Sequence, residues 1–260
     1  MNCLTNGPQK LPELRKITDQ EKTSLKNKKE IFLVPYSHLD TQWRWEYPTT
    51  INKYIKNTLE ESISLSKKYP GFQLNFPGAI RYSFMKDYYP EEFEIVKALV
   101  KEGRWHTSGT CLDETDTLIP SVESMIRNML YGDRWAKRNF GKSSRDYMIP
   151  DCFGFPANMP SIMAHCGING FSSNKLTWKS AVGIPFETGA WKGPDGSEII
   201  SAFNPCRYDS RLFPLQMSFF RLKRLKNLGR KNGIWKSFQY YGVGDIGGSP
   251  TECSVKNAIS

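Results

Sequence analysis

No Cys-x-x-Cys pair and no regular cysteine spacing occurs in this 260-residue sequence, whose 6 cysteines stand at 3, 111, 152, 166, 206 and 253. That excludes a structural zinc knuckle and a disulfide framework, and makes free thiols in a reducing compartment the expectation. Long apolar runs are also missing from the N-terminus. Residues 1–29 are polar and lysine-rich, with no stretch long enough for a signal peptide or a membrane span. The chain as written is therefore expected to be cytoplasmic, without a membrane partner. Internal repeats, low-complexity segments and nucleic-acid recognition motifs are absent too. The net charge of +10 still raises the question of a polyanionic partner. Its excess is local: nine basic residues against one acid, Asp209, lie between Arg207 and Lys236, where Leu222, Leu225 and Leu228 recur every three residues. This is the pattern of a basic amphipathic helix ended by Gly229 or Gly233, with its apolar stripe packed on the body of the protein. That reading is preferred to a nucleic-acid surface.

What the chain does have is aromatic residues, 13% of it, within a hydrophobic share of 39% that suits one substantial core. It also has one abrupt junction. Ile31 to Val34 is short, apolar and β-branched, which predicts a strand buried on both faces and stopped by Pro35. His38 and Asp40 follow at its carboxyl end, where α/β folds assemble their sites, and residues two apart on extended backbone point the same way. A zinc ion accepts imidazole nitrogen and carboxylate oxygen, so the pair is a candidate half-site. Taken alone, the pair is more readily a core histidine with a helix-capping aspartate. Trp43 adds weight to the first reading, since an aromatic plate beside polar ligands matches the apolar face and hydroxyl rim of a pyranose.

The pattern then alternates. Helical spacing over 50–68 stops at Pro70-Gly71, and Phe72 to Phe76 reads as a strand. Helical patterns around Phe84 and over 91–101 precede a strand near 105–109, and a helix capped by Ser121 runs to about Lys137. Tyr147 to Ile149 predicts a buried strand ending in Pro150-Asp151-Cys152-Phe153-Gly154, and the prolines and glycine make Asp151 an aimed loop carboxylate rather than a helix cap. A helix over 157–166 and strands over 170–173, 189–191 and 198–203 complete the series. Strand and helix in alternation predict an α/β fold with a parallel sheet or barrel.

Four ordered blocks now carry a resemblance. Ser37-His38-Leu39-Asp40-Thr41-Gln42-Trp43 is similar to the His-x-Asp-x-x-Trp motif of glycoside hydrolase family 38, the retaining, zinc-dependent α-mannosidases. Glu102-Gly103-Arg104-Trp105 through Asp116, Pro120 to Gly132, and Pro150-Asp151-x-Phe153-Gly154 through Gly167-Ile168 match in the same order. The resemblance implies the N-terminal part of a (β/α)7-type barrel with parallel strands, incomplete here, with residues 30–260 as a partial catalytic domain behind a polar segment, 1–29. It implies hydrolysis of α-mannosides or mannose-containing oligosaccharides, with Zn2+ as cofactor. His38, Asp40 and Asp151 match three of the family's four zinc ligands, and Asp151 its nucleophile. Trp43 matches the tryptophan under the mannose ring and Phe153 the wall of the pocket. Asp245, in Tyr240-Tyr241-Gly242-Val243-Gly244-Asp245, matches the general acid/base, and Tyr208 and Asp209 match a substrate-contacting pair.

The departure lies downstream. The family's fourth ligand, a histidine, comes from a segment well beyond the Gly-Asp stretch, whereas fifteen residues follow Asp245 here. His106 in a predicted strand and His165 on a predicted helix are read as core or surface residues rather than ligands. The expectation is thus a piece of a longer enzyme. Two alternatives stay open: a truncated, inactive fragment or sugar-binding module, and a metal-dependent carbohydrate deacetylase.

Overall fold

β1 (Glu30–Ser37) is the axis of the molecule, and it is longer than its apolar run. It crosses Pro35 and pairs in parallel with β8 (Lys236–Val243) over eight consecutive positions, from Glu30 opposite Lys236 to Ser37 opposite Val243. Pro35 does not end the ladder, contrary to expectation. Its carbonyl accepts from the Asn75 side-chain amide at 3.0 Å, so its nitrogen faces β2 (Leu74–Asn75), where a two-residue strand asks for no donor at that position. The burial also runs the other way: Phe32 is half exposed, while Pro35, Tyr36 and Ser37 are buried beside the site. Gly242 permits the close β1–β8 approach, because a Cβ there would lie 1.7 Å from the Tyr36 carbonyl oxygen.

The computed structural model describes residues 29–177, 187–203, 206–213 and 218–259. The polar segment expected over 1–29 lies, apart from Lys29, outside the described residues. After β1, α1 (Tyr47–Thr49) leads through a π-helical stretch, Thr50–Ile55, into α2 (Lys56–Lys68). Then come α3 (Ala79–Tyr88), α4 (Pro90–Lys101) and β3 (Trp105–His106). α5 (Val122–Phe140) is capped by Ser121, whose hydroxyl accepts from Ser124 N at 3.2 Å as expected. β4 (Asp146–Met148), α6 (Met159–His165), β5 (Gly170–Ser172), β6 (Thr188–Lys192), β7 (Glu198–Ala202), α7 (Ser218–Asn232), β8 and α8 (Glu252–Ile259) follow.

The strands form two four-stranded sheets, β3-β2-β1-β8 and β4-β5-β7-β6, parallel except for β6 against β7. That antiparallel pair is a local hairpin, closed by Gly193 and Gly196, where all-parallel strands were expected. Thr110 N donates to Asp146 O at 2.8 Å and brings β4 alongside the chain leaving β3. On the inner side the Tyr240 hydroxyl donates to Ser172 Oγ at 2.6 Å, and Tyr36, Met148, Tyr208 and Tyr240 pack into one buried cluster. The two sheets therefore curve around a shared interior as part of a barrel, which does not close among the described residues. Helices cover the outer faces with two larger apolar cores, one around Phe76, Tyr82 and Trp105 and one around Tyr147, Met159 and Phe171. In α7, the expected apolar stripe holds only in part, with Leu225 buried, Leu228 half-buried and Leu222 exposed, and the helix ends at Gly233, with φ +70°, rather than at Gly229.

One titration is set by this packing. Burial lifts the Asp146 carboxyl to about 6, although it accepts from Gly109 N at 3.2 Å. A carboxyl whose pKa is higher folded than unfolded stabilises the fold when protonated: the contribution is complete below about pH 4 and lost as pH rises through about 6. Asp146→Asn is therefore expected to resist denaturant better than the parent protein near pH 8 and equally near pH 4. Equal midpoints at both values would count against the assignment.

Candidate metal centre

His38 leaves β1 directly into the interior. Its backbone N donates to Val243 O at 3.0 Å and its carbonyl accepts from Gly247 N at 2.8 Å, so the residue is held against the end of β8. Asp40 is tied the same way, its N donating to Asp245 O at 2.9 Å. The loop beyond is anchored by Thr50, fully buried, whose hydroxyl donates to Thr41 O and accepts from Trp45 Nε1. Asp151 arrives from the carboxyl end of β4 in the loop that the flanking prolines and glycine require.

These three residues meet. One donor atom from each lies within 4.8 Å of the other two. His38 Nε2 is 3.5 Å from Asp40 Oδ1 and 3.5 Å from Asp151 Oδ2, and it is a buried nitrogen with no hydrogen-bond partner. That spacing is too long for good hydrogen bonds. It matches the edge of a tetrahedron around zinc, roughly 3.3–3.6 Å for bonds of 2.0–2.2 Å. The electrostatics agree. Burial alone would lower the basicity of His38, but the carboxylates of Glu114, Asp151 and Asp40 outweigh it and push the imidazole up to about 10. For Asp151 burial acts upward, and His38 together with Lys175, whose Nζ is 2.6 Å from Oδ1, holds the carboxyl down at about 2. The cluster has surplus negative charge, and an imidazole that offers its Nε2 lone pair once a cation displaces the ring's second proton, the donor set of a small divalent cation.

A cavity of about 400 Å³ opens in front of it, walled by His38, Asp40, Arg81, Glu114, Asp151 and Phe153 among others. Phe153, 63% exposed, is one of its lining residues. Trp43 is not part of that wall. Its indole is 53% exposed and carries the Arg44 guanidinium 4.1 Å from the ring centroid. Tyr208 reaches the centre: its ring lies 4.7 Å from that of His38, its hydroxyl donates to Asp245 Oδ1 at 3.4 Å, and the Asp151 carboxylate lies close enough to act on it. Burial, Asp151 and Asp245 raise this phenol above its ordinary value, so it stays protonated. The neighbouring Asp209 is held by the Arg207 guanidinium, with Nε 2.9 Å from Oδ1 and Nη2 2.6 Å from Oδ2. Asp245 sits just past β8 with φ +63°, a left-handed conformation that aspartate tolerates better than most residues. His106 contacts Gln73 at 3.2 Å and His165 is exposed, both away from the centre.

Four residues that matter here were not singled out from sequence: Tyr36, Arg81, Glu114 and Lys175. One signal was available. Tyr36 shares a strand face with His38, being two residues away, and Asp113-Glu114 falls just after a strand.

Fold and site together define an α/β protein with a candidate divalent-cation centre at the carboxyl ends of its strands. The sequence model of the glycosyl hydrolases family 38 N-terminal domain matches residues 28–258. The chain is 32% identical to alpha-mannosidase G of Dictyostelium discoideum over 221 residues, 85% of this chain and 20% of that protein. It is 31% identical to alpha-mannosidase 2C1 of Homo sapiens over 218 residues, 84% of this chain and 20% of that one. An alpha-mannosidase structure from Enterococcus faecalis V583 shares the fold, with a TM-score of 0.71 over 89% of this chain and 26% of that chain, at 21% identity. The chain belongs to glycoside hydrolase family 38. It spans about one fifth of the length of the curated relatives it matches. Among the described residues, no helix is long and apolar enough to cross a membrane.

Proposed function

We propose that this chain carries the bond-cleaving centre of a retaining α-mannosidase, with Asp151 as nucleophile, Asp245 as general acid/base, and His38, Asp40 and Asp151 as ligands of a zinc ion. The observation that carries the reading is the Tyr208 hydroxyl, which donates to Asp245 and lies within reach of Asp151. Two carboxylates that reach one hydroxyl have their nearer oxygens within roughly 7 Å, twice hydrogen-bond reach. Retaining enzymes need about 5–5.5 Å and inverting ones about 6.5–9.5 Å, so that bound admits the retaining separation and only the lower end of the inverting range.

In this reading Asp151, ionised by His38 and Lys175, attacks the anomeric carbon while Asp245 gives its proton to the departing oxygen. The covalent mannosyl-Asp151 ester then reacts with water, whose proton Asp245 takes back. Zinc, when bound, supplies Lewis acidity toward the vicinal 2- and 3-hydroxyls, whose cis relation distinguishes mannose, and keeps Asp151 ionised. Phe153 lines the sugar pocket and Trp43 offers its exposed indole as a stacking plate. Tyr208 and Asp209 are the proposed substrate-contacting pair, Tyr208 beside the nucleophile and Asp209 paired with Arg207.

Zinc content and nitrophenol release from an aryl α-mannoside test the reading. Zinc without turnover would leave a sugar-binding module, and deacetylation of N-acetyl sugars without mannoside hydrolysis would support the deacetylase, which family membership disfavours. The role of Asp245 has its own signature. Asp245→Asn is expected to slow mannosides with poor leaving groups by about 10²–10⁴-fold and activated aryl mannosides far less. Equal losses across the leaving-group series would remove the acid/base assignment.

A further inference from the structure

On the Nδ1 side of His38, the Tyr36 hydroxyl lies 2.9 Å from Nδ1 and donates to Glu114 Oε1 at 2.9 Å. Tyr36 is fully buried, and the Glu114 side chain is 9% exposed. A phenol has one proton. With that proton directed at the Glu114 carboxylate, the Tyr36 oxygen can only accept from His38, so Nδ1 is the imidazole atom that bears hydrogen. Arg81 places its guanidinium Nη1 3.7 Å from Glu114 Oε1. At the far side of the ring, Nε2 is buried without a hydrogen-bond partner and faces Asp40 and Asp151.

We propose that Tyr36 and Glu114 are positioning residues, whose relay from His38 Nδ1–H through the Tyr36 hydroxyl to the Glu114 carboxylate selects one imidazole tautomer and aims the Nε2 lone pair between Asp40 and Asp151. The inference rests on the cation site proposed above. It assigns the relay two effects on that site: a fixed ring plane, because the buried Tyr36 hydroxyl, itself held by Glu114, fixes Nδ1, and a more basic Nε2, because the Nδ1 proton is shared toward a carboxylate. Neither residue is a ligand of the cation in this arrangement, and of the two only Glu114 lines the cavity.

The test is zinc affinity of the 260-residue chain, by chelator competition, for the parent protein, Tyr36→Phe, Glu114→Gln and the double variant, with ¹⁵N-histidine NMR of the zinc-loaded forms. Three histidines make the His38 signals assignable. Tyr36→Phe is expected to weaken zinc roughly 10–100-fold, and Glu114→Gln less, since the amide oxygen still accepts. The double variant should bind no more weakly than Tyr36→Phe, because Glu114 acts through Tyr36. A slowly exchanging Nδ1 proton on His38 should be present in the parent and lost in Tyr36→Phe. A purely structural role would lower thermal stability while leaving the Nδ1 signal in place and the losses additive, and that result overturns the proposal. Unchanged affinity in Tyr36→Phe, with binding abolished in Asp40→Asn, overturns the relay and leaves the cation site standing. No zinc binding by the parent chain overturns both. Should Tyr36→Phe fail to fold, the isosteric Glu114→Gln keeps the NMR comparison decisive.

Discussion

Asp151→Asn is expected to lower kcat on an activated aryl α-mannoside by at least about 10⁴-fold, beyond what any other single substitution in the site should do. The amide cannot form the glycosyl ester, and it no longer presents a carboxylate to Lys175 at 2.6 Å or to His38 at 3.5 Å. Because the same side chain is a proposed ligand, zinc affinity should fall with it. The two roles separate at saturating zinc. If excess metal restores hydrolysis to the asparagine variant, Asp151 is a ligand alone and the nucleophile lies elsewhere; if the metal returns without turnover, the assignment stands.

The largest effect on stability is expected from Arg81→Met, at about 3–5 kcal/mol. Arg81 lies on α3 and is 2% exposed, yet it is a cation. Its Nε donates to Leu39 O and its Nη1 to Pro77 O, both at 2.8 Å, so one guanidinium ties together the loops that leave β1 and β2. Its Nη2 lies 3.2 Å from Asp113 Oδ1 and its Nη1 3.7 Å from Glu114 Oε1. A methionine fills most of the volume, leaves two carboxylates without their counter-ion and orphans two buried carbonyls. Thermal unfolding should shift down by about 6–20 °C. Arg81→Lys should recover only part of the loss, since an ammonium cannot serve four acceptors from one plane. A shift under about 2 °C for Arg81→Met would mean that the surrounding loops hold themselves.

Much of this was readable in the sequence where local chemistry decides. His38, Asp40 and Asp151 were legible because each comes within a few residues of a short apolar strand and sits among residues that break regular structure. Ser121 was legible as a cap because the cap geometry is written within four residues. What escaped notice depends on distant partners. Lys236 to Val243 carries serine, glutamine and glycine among its aromatics, and only β1 alongside turns that into a buried strand. Pro35 looked like a terminator because its sequence does not reveal which neighbour its nitrogen faces. Arg81 and Lys175 carry no signal in the sequence, since nothing local to them announces the carboxylates they meet, 32 or 33 positions away for Arg81 and 24 for Lys175. The hairpin of β6 and β7 was missed in orientation, because strand direction is set by the turn that joins two runs rather than by the runs themselves.

The register between β1 and β8 bears on how the protein is made. Glu30 and Lys236 are 206 residues apart, which at about 5–20 residues per second of ribosomal synthesis is roughly 10–40 s. Throughout that interval His38 and Asp40 exist without the Val243 and Asp245 carbonyls that hold their backbone, and the β1 edge is an open template for other strands. Such a high-contact-order pairing is slow to find. The geometry of the candidate cation site is therefore among the last features the nascent chain acquires.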